Sequence, residues 1–426
     1  MLEAFNSADP TYCYPSLDLL KKYDNISSST VDLTEYETNK KRIVEVLRSY
    51  GIGTSSITAT IGPAVTVFEI KPAIGFKLSK IFNHEEDIVF MLSDLNIKRI
   101  DTIMDKGTIA IEAANAKPNI VSMESVLNSK EFQENTMELP CAIGKTVYNE
   151  VFMFDLSKMP HLLVAGSTGQ GKSVILKAII TSLLYKKHPA EMKLVLIDPK
   201  DVEFSIYKPI ANHFLAMVQE TNGNADPIVT DDTKAVRVLN SLCKEMDTRF
   251  DLLRLAEVRN LKDYNHKFNA GELKHEDGHR YMPYIVVVID EFGDLIMTAG
   301  KEIEKPILRI AQMAQACGIH IFMATQCLTM NVITGTIKAN FSRRIAYRVA
   351  TASDSMTILD RPGANLLTGK GDMLFLGDNE PVRVQGALVE DPEIDSICEY
   401  ISKQQCFASP YVLPEPEGDN IQRNKQ

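Results

Sequence analysis

Long apolar runs, paired cysteines, an N-terminal leader and internal repeats are all missing from this chain of 426 residues. The longest apolar stretches, such as Tyr284–Ile289, fall far short of the ~18 residues a membrane-spanning helix needs. With no secretory signal at the N-terminus, the sequence predicts a soluble, cytoplasmic protein. Seven cysteines occur without one Cys-x-x-Cys spacing, which excludes a zinc ribbon and points to reduced thiols rather than a disulfide frame. His275 and His279 stand four residues apart, but within the polar run Lys274–Arg280, which reads as a solvated loop and not as a metal site. Positive charge is also short: 46 basic against 56 acidic residues give a formal net charge of −10. A surface that is basic all over is excluded, so any nucleic-acid contact must run along a local track.

What is present is enough apolar residue (45%) for true cores, in a chain long enough for two or three domains. Thr38–Tyr50 is amphipathic and stops before Gly51 and Gly53, as a helix does. Ile57–Lys71 alternates around Gly62-Pro63 and reads as two strands and a turn; residues 85–96 look helical, and Gly107–Glu112 looks like a further strand. After a tail at 1–13, residues 14–150 are therefore expected to form a small α+β domain without catalytic groups of its own. From 151 to 405 apolar strands alternate with helices, the signature of an α/β domain with a parallel-rich sheet. Asp231–Leu255 reads as a long helix, Arg259–Met282 as an exposed insertion, and Met373–Leu376 with Val382–Val384 as a hairpin. A tail rich in Pro and Glu, 406–426, is expected to be disordered from Pro410.

The chemistry concentrates at Gly166-Ser-Thr-Gly-Gln-Gly-Lys-Ser173, which fits G-x-x-x-x-G-K-[ST] between the apolar strand at 162–164 and the helical Val174–Tyr185. Glycines let backbone N–H groups turn inward, and the helix N-terminus adds partial positive charge, so this P-loop is read as binding ATP. Gly166, Ser167, Thr168, Gly169, Gln170, Gly171, Lys172, Ser173 and Val174 form the expected cradle. Lys172 is assigned to the β- and γ-phosphates and the Ser173 hydroxyl to Mg²⁺. Tyr284–Ile289 ends in Asp290-Glu291, a Walker B arrangement at the strand tip where open α/β sheets place ligands. Asp290 is assigned to Mg²⁺ and Glu291 to polarising the attacking water. Gln326, ending the strand Ile319–Gln326, is placed to sense the γ-phosphate. Between Lys305 and Ser353 there is no acidic residue but six basic ones, among them Lys338, Arg343 and Arg344. These three are the candidate contacts to a DNA backbone.

Together with these motifs, Met159–Gly166, Leu196-Ile-Asp-Pro-Lys-Asp-Val-Glu203, Glu245–Arg249, Val288–Leu295, Cys317–Gln326, Asn331–Asn340, Ile358–Asp360 and Gly369–Leu374 give a sequence that resembles the FtsK/SpoIIIE family of DNA translocases from about Tyr14 to about Ser402. The resemblance implies an α domain followed by a RecA-like P-loop β domain. It also implies a homo-oligomeric, hexameric ring on double-stranded DNA that hydrolyses ATP between subunits, in chromosome segregation or DNA transfer. Relatives add membrane helices, which would anchor a full-length form to the inner membrane, and a C-terminal winged-helix domain; the 426 residues are expected to correspond to the motor portion alone. Three positions depart from the pattern: Gln315 stands where the family carries an arginine reaching the neighbouring γ-phosphate, and Cys327 and Ala352 stand where basic residues are usual. Loss of an arginine finger costs on the order of 10³-fold in turnover in other NTPases. A divergent working motor, a paralogue that binds ATP and DNA but turns over slowly, and a related ring ATPase moving polypeptide all remain open from sequence.

Overall fold

In a computed structural model the described residues are 12–23, 33–76, 79–95, 97–103, 107–219, 226–378 and 380–416. Among them, four antiparallel strands form one sheet, in the spatial order Thr54–Ile61, Val65–Pro72, Thr108–Ala114, Ile97–Ile103. Helix Leu33–Ser49 lays Ile43, Val46 and Leu47 against Phe68, Ile70 and Ile111 of that sheet, which gives the small domain its own core. The turn at Gly62 and the stop at Gly51 fall where the glycine signals predicted them; the strand Ile97–Ile103 was not read from sequence.

The second sheet has ten strands among the described residues. Six are parallel, in the order Ile228–Val229, Met192–Ile197, Tyr284–Ile289, Ile319–Thr325, His161–Ala165, Arg343–Tyr347. The central ones are buried along their whole length, which is why they read as unbroken apolar runs and not as alternation. Four antiparallel strands continue the sheet: Asp372–Leu376, Val382–Gly386, Pro140–Thr146 and Val151–Asp155. The expected hairpin of 373–376 with 382–384 is the first pair of these.

Several boundaries need correction. The large domain does not begin at 151, because Pro140–Thr146 pairs with both Val382–Gly386 and Val151–Asp155 and its Cys141, Ala142 and Ile143 belong to the large core. Gly144 lets the strands close there: a Cβ on it would stand 2.0 Å from the Gln385 carbonyl oxygen. The segment from Tyr14, which opens the expected α+β domain, packs on the large domain. Leu20 enters the large core, and Tyr185 donates its hydroxyl to the Ser16 carbonyl at 2.9 Å. Arg259–Met282 is not simply exposed: it contains helix Leu261–Asn269, with Leu261 and Tyr264 buried, and His279 is buried against the Tyr264 hydroxyl at 3.0 Å. The tail expected to be disordered from Pro410 instead forms a strand, Tyr411–Leu413, parallel to Ala216–Val218; 1–11 and 417–426 lie outside the described residues. No described helix is long and apolar enough to cross a membrane, and no disulfide joins the cysteines.

Candidate active site

The strand His161–Ala165 delivers the P-loop to the N-terminus of helix Lys172–Leu184, one of the most buried helices in the chain. That burial is fixed from behind: the Ser182 hydroxyl bonds both the Ala142 N–H and the Pro140 carbonyl at 2.9 Å, tying the helix to the strand Pro140–Thr146. At the helix start Gly171 has φ +117°, and a Cβ there would stand 3.1 Å from the Gly371 Cα. A side chain at this position would therefore be strained and would push against the loop that closes the site. Ser167 N–H donates to the Arg348 carbonyl at 3.2 Å and Gly371 N–H to the Gln170 carbonyl at 2.8 Å, so the loop is held from two sides.

The strand tips place the remaining predicted residues in one connected group. Lys172 Nζ lies 2.9 Å from Glu291 Oε2, with both side chains almost wholly buried. The other Glu291 oxygen accepts from the Thr325 hydroxyl at 2.8 Å, and the Gln326 N–H lies 3.1 Å from it. Gln326 Oε1 in turn accepts from the Thr168 hydroxyl at 2.5 Å, which returns the path to the P-loop. Thr325, not singled out from sequence, is thus the residue that fixes the Glu291 rotamer; its signal was no more than a polar residue inside an apolar strand. Asp290 is buried, and its Oδ1 has no hydrogen-bond partner among the described residues. Burial pushes its carboxyl up to about 6, with Lys172 opposing and Glu203, Asp198 and Glu291 adding to the rise. Asp198, the acid at the next strand tip, accepts from the Val202, Glu203 and Phe204 N–H groups, so it organises its own loop and stays out of the site.

A cleft of about 670 Å³ opens over Thr168, Lys172 and Gln326, a size suited to a nucleotide, with Asp290 and Glu291 outside its lining. Ser167, Thr168, Gly169, Gly171, Lys172, Ser173, Val174 and Gln326 line it, with Thr368–Gly371 and Gln385 on the facing wall. Gly166 and Gln170 of the expected cradle are not among the lining residues, and the Gln170 carboxamide lies beside Gly369. The residues present fit Mg²⁺. No cluster of three or more His, Cys, Asp or Glu able to hold a metal occurs among the described residues, but Mg²⁺ keeps several waters and takes one or two protein oxygens plus phosphates. The Ser173 hydroxyl and the unpartnered Asp290 Oδ1 are oxygens of that kind.

Comparison with known proteins decides the lineage. Residues 14–115 match the FtsK alpha domain model and residues 122–330 match the FtsK/SpoIIIE family model. The chain belongs to the FtsK/SpoIIIE family. It is 44% identical over 409 residues to the DNA translocase FtsK of Chlorobaculum tepidum, covering 95% of this chain and 49% of that protein. It is 40% identical over 396 residues to the DNA translocase SpoIIIE of Bacillus subtilis, covering 92% of this chain and 49% of that protein. The chain thus spans about half the length of the curated relatives it matches. Among solved structures, the pCW3 conjugation coupling protein TcpA with ATPgS is similar in fold, with a TM-score of 0.57 at 22% identity over 85% of this chain and 99% of that one. The cytoplasmic domain of the Type VII secretion ATPase EccC of Thermomonospora curvata aligns with a TM-score of 0.55 at 23% identity, over 66% of this chain and 33% of that one.

The basic window of this family member is acid-free in sequence but not in space. Lys338 Nζ and Arg344 share Asp360, each at 2.6 Å, and Arg344 also donates to the Ile358 carbonyl at 2.8 Å. Burial alone would raise the Asp360 carboxyl; the hydrogen bonds from Lys338 and Arg344 hold it below the usual carboxylate range instead. Arg343 pairs with Asp378 at 2.5 Å and Arg309 with Asp247 at 2.8 Å. The side chains of Lys338, Arg343 and Arg344 are only 15%, 14% and 11% exposed and each is paired to an acid that is itself more than half exposed, so the fold presents them as members of surface ion pairs and not as free cations. The acids that neutralise them come from outside the window, which a count along the sequence cannot see. Lys305 and Arg348 are exposed. Gln315 is exposed and bonds the Ser157 carbonyl at 3.3 Å, Cys327 packs beside Gly293, and Ala352 opens helix Ala352–Leu359 at the surface.

Proposed function

We propose that this chain is the motor portion of an ATP-driven double-stranded DNA translocase, assembled as a homo-oligomeric ring and hydrolysing ATP at its P-loop. The observation that carries the reading is the closed path Lys172–Glu291–Gln326–Thr168, which joins phosphate loop, water-activating carboxylate and γ-phosphate sensor through direct contacts. Backbone N–H groups of Gly166–Ser173 and the helix N-terminus hold the phosphates, and Lys172 neutralises charge on the β- and γ-phosphoryl oxygens. Ser173 and Asp290 would hold Mg²⁺, which would supply Lewis-acid polarisation of the phosphates. Glu291 takes a proton from the attacking water, and Gln326 registers loss of the γ-phosphate and passes it to Thr168. The names of the relatives support DNA as the substrate.

A second reading, a ring that grips DNA but turns over slowly, is favoured by Gln315 at the finger position and by the ion-paired state of Lys338, Arg343 and Arg344. One experiment separates the two: steady-state ATP hydrolysis with and without long duplex DNA, with Lys172→Ala as the blank. Translocation requires strong stimulation by DNA that Lys172→Ala abolishes. DNA binding without stimulation supports the slow ring, and hydrolysis equal to the blank under all conditions removes the motor reading.

A further inference from the structure

Asp198, Glu203, Asp290 and Glu291 gather at the tips of two adjacent strands. Met192–Ile197 pairs with Tyr284–Ile289, and the Asp290 N–H bonds the Ile197 carbonyl at 3.0 Å, so Asp198 and Asp290 leave the sheet side by side. Glu203 lies in the loop that Asp198 organises, near enough for its charge to act on the Asp290 carboxyl. All of these acids except Asp290 are taken up by the protein. Asp198 accepts the loop N–H groups, Glu291 takes the Lys172 ammonium at 2.9 Å, and Glu203 takes the Lys177 ammonium at 2.8 Å. Asp290 is only 6% exposed, and its Oδ1 is left without a partner among the described residues. Lys177 stands four residues after Ser173 in helix Lys172–Leu184, so the two side chains share one face of that helix. It does not line the nucleotide cleft. A second bond, to Asp391 at 2.8 Å, ties it to the start of helix Asp391–Ser402. Burial works against the Lys177 charge, but the bonds from Asp391 and Glu203 more than offset it and raise its pKa. Mg²⁺ takes one or two carboxylates beside phosphate oxygens, and cation affinity rises with the number of charged ligands a site offers.

We propose that Lys177 is a positioning residue for the Mg²⁺ site: by pairing with Glu203 it leaves Asp290 as the one carboxylate offered to the metal beside Ser173. This rests on the reading of Ser173 and Asp290 as the Mg²⁺ oxygens. Lys177 touches neither ion nor phosphate and acts through Glu203. The ion is then held tightly only when nucleotide phosphates complete its shell. A loose Glu203 would add a second carboxylate next to Asp290, enough to hold a divalent cation without nucleotide and to repel the triphosphate.

The test is titration of the full chain with Mn²⁺ in the absence of nucleotide, read by electron paramagnetic resonance, beside calorimetric titration with ATP in excess Mg²⁺. Lys177→Met should bind nucleotide-free Mn²⁺ about 10-fold more tightly than the parent and Mg-ATP about 5-fold more weakly. Adding Glu203→Gln to Lys177→Met should return both affinities to the parent values, which a mere loss of packing would not do. Lys177→Gln, measured in case the methionine variant does not fold, should move both affinities in the same directions. Lys177→Arg and Asp391→Asn keep a cation on Glu203 and should match the parent. If removing the Lys177 charge leaves Mn²⁺ affinity unchanged, if the double variant keeps the altered values, or if Asp391→Asn reproduces them, the positioning role is wrong while the metal site stands. If the parent binds ATP equally well with and without Mg²⁺, or Lys172→Ala binds it as well as the parent does, the nucleotide and metal readings themselves fall.

Discussion

Asp290 is the residue whose electrostatics are most exposed to test. Its carboxyl keeps its proton to about pH 6 in the folded chain against 3.8 when free, chiefly because burial disfavours the ionised form. The folded state therefore binds more protons between those values, and its stability falls as pH rises through that window. Asp290→Asn cannot ionise there, so it should flatten this pH dependence and be more stable at pH 7 by up to about 3 kcal/mol, as read from urea midpoints at pH 4.5, 5.5 and 7. A gain in stability that accompanies loss of Mg²⁺-dependent ATP binding is the mark of a group placed for function at a cost to the fold. Arg344 is the opposite case. Its guanidinium is buried on Asp360 and the Ile358 carbonyl, so Arg344→Ala should destabilise by about 1–2 kcal/mol, chiefly by leaving the Ile358 carbonyl unmet, while Lys338 and solvent still serve Asp360. The salt dependence of DNA binding should not change; a slope reduced by about one phosphate would return Arg344 to the DNA surface. The P-loop and Walker B residues were legible because each carries its chemistry in its own identity and spacing. The fate of Lys338, Arg343 and Arg344 was not, because Asp360 and Asp378 reach them only in the fold.

At the scale of elements, the parallel half of the large sheet was readable because strands buried on both faces show it in every residue, as in Tyr284–Ile289. The antiparallel extension was not, since Pro140–Thr146 offers a glycine and a lysine among its seven residues and looks like connecting chain. The strand Tyr411–Leu413 was hidden for a related reason: three residues between prolines carry no period. It is nevertheless anchored. Glu245 accepts from Arg280, whose Nη2 reaches both carboxylate oxygens at 2.8 Å, and from Arg249, and the Tyr411 hydroxyl joins them at 3.3 Å from Glu245. Burial works against the Glu245 charge, but the two guanidiniums more than offset it and lower its pKa. Removing residues 409–426 should therefore speed amide exchange across Ala216–Val218 and lower the unfolding temperature, whereas a disordered tail would leave both unchanged.

For the whole molecule, the two domains meet at a buried charge cluster as well as at the nucleotide cleft. Arg383 pairs with Asp372 of the neighbouring strand at 2.6 Å and with Glu112 of the small sheet. Asp372 also accepts the Thr368 N–H and hydroxyl at 2.7 and 2.8 Å, which connects this junction to the loop that faces the P-loop. Within one chain, no part of the active site is supplied by Gln315, which sits at the surface on the Ser157 carbonyl. If that position faces a neighbouring subunit's nucleotide, Gln315→Arg should raise DNA-stimulated turnover by on the order of 10³-fold at unchanged ATP affinity. An unaltered rate would mean that the cation missing there is not what limits turnover.

The Lys172 ammonium cannot stay locked on the Glu291 carboxylate and also bind a γ-phosphate with its full charge. On the proposed mechanism, arrival of a triphosphate would therefore draw the lysine away and free the carboxylate for water in the same motion. Fuel and trigger are interlocked: the group that would fire the reaction stays on its catch until the charge is in the chamber.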